Sequence, residues 1–434
     1  LFSSNPPSMK LYVRLCAYAP YLCDMLTSHP GMIDGLMDGL ALDRLPSQET
    51  LRATLADLCR GASNADVILH SFKNDQQLRV GAMDVLGKGD VRLATGTLAD
   101  IADVCLERVV RNEYPKLVAK LGCPMLKSGP RTGEEAGFAV VAMGKFGGRE
   151  LNYHSDLDVI FLFEGEGRTV VDSTSSAPSV RAGSGTSNQH FFGELGQKII
   201  NAMGRVSEQG RLYEVDARLR PTGRNGPLAM PLEAFDRYFT EGEGPGALWE
   251  RLALTRARAV FATPDMATKT RYSLDRAAFG FAWSPEYSSE IQKMRGRLEK
   301  TATKKGDFKR GPGGIVDIEF IVQLLQLRRG AGTQEIRLQN TLDSLESLRE
   351  AGLLKADDAA FLESSYQFLR KLEGFLRLTN QGTTSCLPDD PTELTRLAHL
   401  MRLSSGGDLL VEFDRIRKDV RFRFERIFQE NGAD

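Results

Sequence analysis

Residues Phe138 to Phe163, FAVVAMGKFGGRELNYHSDLDVIFLF, constrain this chain more than any other stretch. Phe138 to Ala142 are apolar or small and read as a buried strand; Val159 to Phe163 form a second, too apolar to face water on either side. Between them lie a glycine-rich turn, Gly144-Lys145-Phe146-Gly147-Gly148, and the acidic pair of Ser155-Asp156-Leu157-Asp158. Side chains alternate along a strand, so Asp156 and Asp158 share a face with Cα atoms roughly 6.5 Å apart. Two carboxylates at the mouth of an apolar strand repel one another and resist desolvation, which a divalent cation between them relieves. Hard oxygen ligands that also meet phosphates favour Mg²⁺.

On its own, D-x-D also describes an exposed strand-end pair of no chemical consequence. Two neighbours strengthen the chemical reading. The glycine turn leaves backbone N–H groups able to approach phosphate oxygens with no Cβ in the way. A third carboxylate follows in Gly210 to Pro221, GRLYEVDARLRP, where alternation puts Glu214, Asp216, Arg218 and Arg220 on a polar face and Tyr213, Val215, Ala217 and Leu219 on an apolar one. A half-exposed edge strand with surface ion pairs would look the same.

Glycine turn, D-x-D and a later apolar-Asp-apolar strand resemble the nucleotidyltransferase superfamily of the polymerase-beta type. Within it, GKFGGRELNYHSDLD, LYEVDARLRP and GPGGIVDIEFIVQ closely resemble the glutamine-synthetase adenylyltransferase family, in the same order and over most of the chain from about Leu11. The resemblance implies an α+β fold: a polymerase-beta-like nucleotidyltransferase domain, a small mixed sheet with helices, flanked by N-terminal helices and a C-terminal helical bundle. The expected organisation is a helical region over 1–130, the catalytic domain over 131–265 and the bundle over 266–434.

The same resemblance implies a site. Asp156, Asp158 and Asp216 would be the catalytic, metal-binding residues, holding two Mg²⁺ ions, or Mn²⁺. Lys145, Gly147, Gly148, Ser155, Arg218 and Arg220 would bind the nucleotide, with ATP as substrate. The implied reaction moves AMP from ATP to a tyrosine hydroxyl of glutamine synthetase, releasing pyrophosphate, under control of glutamine and a PII signal protein. Family proteins carry two such halves, one adding AMP and one removing it by phosphorolysis; this chain holds one copy, more like the C-terminal, AMP-adding half. The alternatives are the removing half, or a non-catalytic module that binds glutamine synthetase or PII.

Composition narrows the partners. Lys and Arg number 56 against 57 Asp and Glu, a formal net charge of −1, which argues against a general nucleic-acid coat. No apolar run reaches the roughly 18 residues of a membrane span, and no signal peptide is visible, so the cytoplasm is the expected compartment. Cys16, Cys23, Cys59, Cys105, Cys123 and Cys386 form no C-x-x-C pair and read as reduced, buried thiols. The chain begins at Leu1 rather than Met and reads as a piece of something longer.

Elsewhere the pattern is mostly helical. Leu11, Leu15, Tyr18, Leu22 and Leu26 mark one stripe; Ser47 caps a helix with Leu51, Leu55 and Leu58; Thr97 to Leu121 carries another. No titratable cluster before residue 121 asks for a chemical role. Glu164 to Asn188 reads as a loop without order of its own, after which Asn188 caps a helix ending at Gly204. Arg251, Arg256 and Arg258 suit a phosphate by their fork geometry but equally read as surface residues. The basic run from Lys293 to Arg310 reads as a solvated face, or as a surface for triphosphate or an acidic partner. Asp317 and Glu319 sit where they favour a helix N-terminus.

Overall fold

A computed structural model describes residues 6–28, 32, 44–62, 65–171, 185–207, 210–240, 242, 244–302, 306–379 and 384–432. In chain order the helices α1 (Pro6–Tyr18), α2 (Pro20–Ser28), α3 (Gln48–Leu58), α4 (Ala65–Leu86) and α5 (Val91–Leu121) come first. The strands β1 (Cys123–Leu126) and β2 (Phe138–Ala142), the one-turn helix α6 (Gly144–Gly147), β3 (Leu157–Phe163) and β4 (Gly167–Val170) follow. Next are α7 (Asn188–Gly204), β5 (Val206–Ser207), β6 (Gly210–Arg211), β7 (Val215–Asp216), β8 (Ala229–Pro231), α8 (Leu232–Phe239), α9 (Leu248–Leu254), β9 (Arg258–Ala262) and α10 (Pro264–Phe279). The last helices are α11 (Glu286–Glu299), α12 (Ile315–Arg329), α13 (Thr341–Glu350), α14 (Ala356–Thr379), α15 (Pro391–Leu400) and α16 (Gly406–Glu430). The class is α+β, as the sequence implies.

Where the sequence suggests three consecutive stretches, the chain packs as two units. One joins Leu1–Ile101, Arg149–His154 and Ala282–Asp434; the other joins Ala102–Gly148 and Ser155–Phe281.

The second unit holds the sheet, in the order β7-β3-β2-β9, with β8 also on β3. Antiparallel β2 and β3 pair from Phe138 opposite Phe163 to Ala142 opposite Val159, and β9 lies on the far side of β2. Along its other edge β3 takes two parallel partners in succession, β7 beside its first residues and β8 beside its last. Residues of β2 and β3 other than Asp158 are buried, as the two apolar runs predict. Phe192 of α7 explains the aromatic content: its ring stacks 5.4 Å from Phe138 and 4.9 Å from Phe163, centre to centre. Such pairs add about 0.5–1.5 kcal/mol each beyond burial.

Several local expectations change. The cap of α7 is Ser187, whose hydroxyl accepts from the His190 N–H, and Asn188 is the first helical residue. Asn188 instead sends its side-chain amide to the carbonyls of Met125 and Gly165, both at 3.0 Å. The loop expected over Glu164 to Asn188 contains β4, paired antiparallel with β1, a partner the local composition cannot announce; residues 172–184 lie outside the described ones. Leu58 is exposed rather than part of its stripe.

The first unit is helical. Arg295 and Asp317 form an ion pair there, both nearly inaccessible to solvent, and Asp317 Oδ2 accepts the Gly313 N–H at 2.7 Å. Asp317 therefore does more than favour a helix start, and the basic run divides: Arg295 is core, whereas Lys293, Arg297 and Lys300 are exposed. Lys304 and Lys305 lie outside the described residues. The cysteines also divide, with Cys59 and Cys105 buried but Cys16 exposed and the others half-buried. Among the described residues, no helix is long and apolar enough to cross a membrane.

Candidate active site

Asp158 is the second residue of β3 and faces Asp216 across the parallel pairing, with Leu157 facing Val215. The backbone N–H of Leu157 donates to the Glu214 carbonyl at 2.8 Å, extending this contact one step upstream. Asp156 precedes the strand and is exposed; Asp158 and Asp216 are half-buried. The long strand expected from Gly210 to Pro221 is not formed. β7 is two residues long because the chain turns at Arg218 and Leu219.

That turn brings Arg218 back onto Asp216. Its backbone N–H donates to Asp216 Oδ1 at 2.9 Å, its Nε to Oδ2 at 2.6 Å, and its Nη2 to Oδ2 as well. These hydrogen bonds hold the Asp216 carboxyl below the usual carboxylate range, against a smaller opposing effect of burial. Arg218 is raised in turn, first by Asp216 and then by the charges of Asp158 and Asp156. One exposed guanidinium thus feels all three carboxylates. Arg220, expected beside it, curls away: its Nη1 donates to the Ala217 carbonyl at 2.6 Å and its Nη2 to that of Gly226 at 3.1 Å, bracing the turn.

The glycine turn also differs from expectation. It is one turn of helix, in which the Gly147 N–H donates to the Met143 carbonyl at 2.8 Å and the Gly148 N–H to that of Gly144 at 3.1 Å. These two amides are committed to the helix rather than held out for phosphate. Glycine is required at 147 by packing, since a Cβ there would lie 1.9 Å from the Arg256 carbonyl oxygen. At 144 it is required twice over: φ is +55°, and a Cβ would lie 2.7 Å from Asp158 Oδ2. The turn therefore starts against one of the acids. Lys145 and Ser155, both half-buried, stand in α6 and immediately before Asp156.

Among the described residues, no group of three Asp, Glu, His or Cys side chains is placed to hold a metal ion. The donor set still suits a hard divalent cation. Asp216 already binds one cationic group, the Arg218 guanidinium, and the charges of Asp158 and Asp156 act on that same group.

Of the three arginines in the segment before and within β9, none is a loose surface residue. Arg251 is buried and caps the carbonyls of Ala277 and Phe239, each at 2.6 Å; Arg256 is buried; Arg258 pairs with buried Asp103. Asp103 is a residue the sequence reading passed over. Its signal was an acid inside the apolar run Leu98 to Val110, where an unpaired charge is costly.

A family model described as glutamate-ammonia ligase adenylyltransferase matches residues 9–272. This chain belongs to that family. Residues 286–428 match a second family model, described as GlnD PII-uridylyltransferase. Among relatives of this chain, the bifunctional glutamine synthetase adenylyltransferase/adenylyl-removing enzyme of Nitrosomonas europaea is 32% identical, over 96% of this chain and 44% of the relative. Enzymes of the same name from Thioalkalivibrio sulfidiphilus and Hahella chejuensis are 33% and 30% identical, over 85% and 99% of this chain and 38% and 43% of theirs. The chain spans less than half the length of these relatives.

Proposed function

We propose that this chain transfers AMP from ATP to a tyrosine hydroxyl of glutamine synthetase and releases pyrophosphate, and that it corresponds to the AMP-adding half of its bifunctional relatives. The observation carrying this reading is the register of Asp158 against Asp216, with Arg218 hydrogen-bonded to Asp216. Asp156, Asp158 and Asp216 would hold Mg²⁺, which when bound offsets charge on the attacking and leaving oxygens of an in-line displacement at phosphorus.

The chain's own groups do the rest. Arg218 moves off Asp216 onto phosphate, for which its planar fork is equally suited. Lys145 and the Ser155 hydroxyl bind phosphate oxygens. Gly147 and Gly148 contribute shape rather than amides. Asp216, freed of Arg218, either completes the metal site or accepts the proton of the attacking hydroxyl. Glutamine synthetase is the target in the relatives' names, and the second family match, to a PII-uridylyltransferase, supports PII as a regulator. The cytoplasm, where ATP and the synthetase are found together, is the compartment this requires.

The relatives' names also carry the removing activity, so the test has two arms. Unmodified synthetase is incubated with the chain and Mg²⁺-ATP and its tyrosine peptides are weighed; separately, AMP-bearing synthetase is incubated with orthophosphate and ADP is assayed. AMP appearing only in the first arm is the expected result. ADP appearing only in the second replaces the adding half with the removing half, and silence in both rejects catalysis.

A further inference from the structure

The C-terminal end of α6 is fixed by one arginine. Arg258 opens β9 opposite Ala142, the last residue of β2 before the turn. From there its Nε donates to the Gly147 carbonyl at 3.0 Å and its Nη2 to that of Phe146 at 3.2 Å. The guanidinium lies 5.5 Å from the centre of the Phe146 ring. On its other edge Asp103 of α5 accepts from Nη1 at 2.9 Å and from Nη2 at 2.8 Å, a two-point pairing. The Asp103 side chain is 3% exposed and that of Arg258 19%.

A single helical turn cannot sustain itself, because nucleation costs more than its hydrogen bonds return. It also leaves carbonyls over at its C-terminus, where a cation is favourable. Arg258 supplies that cation in one fixed plane, and Asp103 fixes the plane. Just before the same turn the Met143 N–H donates to the Asp158 carbonyl at 2.9 Å, and a Cβ at Gly144 would lie 2.7 Å from the Asp158 carboxylate. A continuous path of contacts thus runs from Asp103 through Arg258 and α6 to Asp158.

We propose that Arg258, oriented by Asp103, is a positioning residue that presets the glycine turn and the Asp158 carboxylate for a nucleoside triphosphate. The inference deepens the proposed function and rests on it. It distinguishes Arg258 from a core ion pair that only adds stability, because its planar fork holds two adjacent carbonyls that a lysine could not hold together.

The test compares the wild-type chain with Arg258→Lys and Asp103→Asn. It measures Mg²⁺-ATP affinity by calorimetry, AMP transfer to the synthetase, amide hydrogen exchange of the peptide covering 143–148, and the thermal midpoint. Arg258→Lys keeps the charge and loses the fork. It should weaken ATP binding and raise the KM for ATP by about 10-fold or more, with a smaller change in kcat, and speed exchange of the 143–148 amides. Asp103→Asn should shift the same quantities in the same direction by less, and it decides alone if Arg258→Lys does not fold. Unaltered affinity, KM and exchange in the folded variants overturn the inference, as does a lowered thermal midpoint with unaltered ATP affinity. A wild-type chain that binds no Mg²⁺-ATP rejects the proposed function and this inference together. Wild-type binding with indifferent variants rejects this inference alone.

Discussion

Asp158 of β3 and Asp216 of β7 are facing residues in a parallel pairing only two residues long. Such a short pairing gains little from its backbone hydrogen bonds, and two facing carboxylates oppose it. Arg218, hydrogen-bonded to Asp216, offsets part of that charge. Asp158→Asn keeps the shape and removes one charge. AMP transfer should fall by at least about 100-fold while the thermal midpoint holds or rises. A steady-state assay beside a melting curve checks both; near-native transfer would remove Asp158 from the site.

In the proposed reaction Arg218 and a metal compete for Asp216. Arg218→Ala should lower the Mg²⁺ concentration giving half-maximal transfer, because no guanidinium then has to be displaced. It should also raise the KM for ATP, because a phosphate partner is lost. The two shifts have opposite signs, so Mg²⁺ and ATP titrations of one variant test them together. A higher Mg²⁺ requirement would show that Arg218 does not compete.

Gly144→Ala tests the contact at the start of the turn. The added methyl meets Asp158 Oδ2 at 2.7 Å, and alanine is strained at φ +55°. We expect a stability loss of about 1–2 kcal/mol by urea unfolding, together with a drop in transfer of about 10-fold or more because the displaced carboxylate belongs to the proposed site.

A pH effect should come from the helical unit. Asp84 accepts the Tyr153 hydroxyl at 2.7 Å beside a cavity of about 30 Å³, and burial pushes its carboxyl up to about 6, against smaller opposing effects of Tyr153 and Lys371. Between about pH 4 and 6 the folded chain holds a proton that the unfolded chain releases, so this contribution to stability falls as pH rises through that window. Asp84→Asn should remove about 1 kcal/mol of the stability difference between pH 5 and pH 8. Denaturant melts at the two pH values check it, and an unchanged difference would count against the raised carboxyl.

Glu150, the one acid of the segment 149–154, is held at both carboxylate oxygens. Its Oε1 accepts the Thr341 N–H at 2.6 Å, and its Oε2 accepts the Tyr366 hydroxyl at 2.8 Å. Arg370 donates to its backbone carbonyl. Glu150→Ala removes the acceptor of the buried Thr341 N–H and leaves the Tyr366 hydroxyl only Glu319 Oε1 at 3.3 Å, and should cost about 2–4 kcal/mol, read by urea unfolding. Tyr366→Phe, which takes this donor from both Glu150 and Glu319, should cost about 1 kcal/mol.

Local pattern carried part of the site and fold. Two apolar runs placed β2 and β3 within two residues because strand geometry is set by adjacent residues, whereas Asp156, expected on one strand face with Asp158, precedes β3 and is exposed. What escaped depended on partners distant in sequence. Arg220 looked equivalent to Arg218 until the turn at 218–219 sent it to the Ala217 and Gly226 carbonyls. Gly147 looked like a phosphate cradle until the Arg256 carbonyl claimed the space beside it. Asp103 and Arg258 are separated by 155 residues, and no window along the chain contains both.

The excursion of residues 149–154 has a consequence for dissection. The polypeptide leaves the sheet-bearing unit after Gly148 and re-enters it at Ser155, so no single cut yields that unit whole. Any fragment made by trimming the ends keeps six residues whose buried hydrogen-bond partners, such as Tyr366, have been deleted, and these lie one residue from Asp156. Fragment expression should therefore give poorly behaved material unless that hexapeptide is replaced by a polar linker.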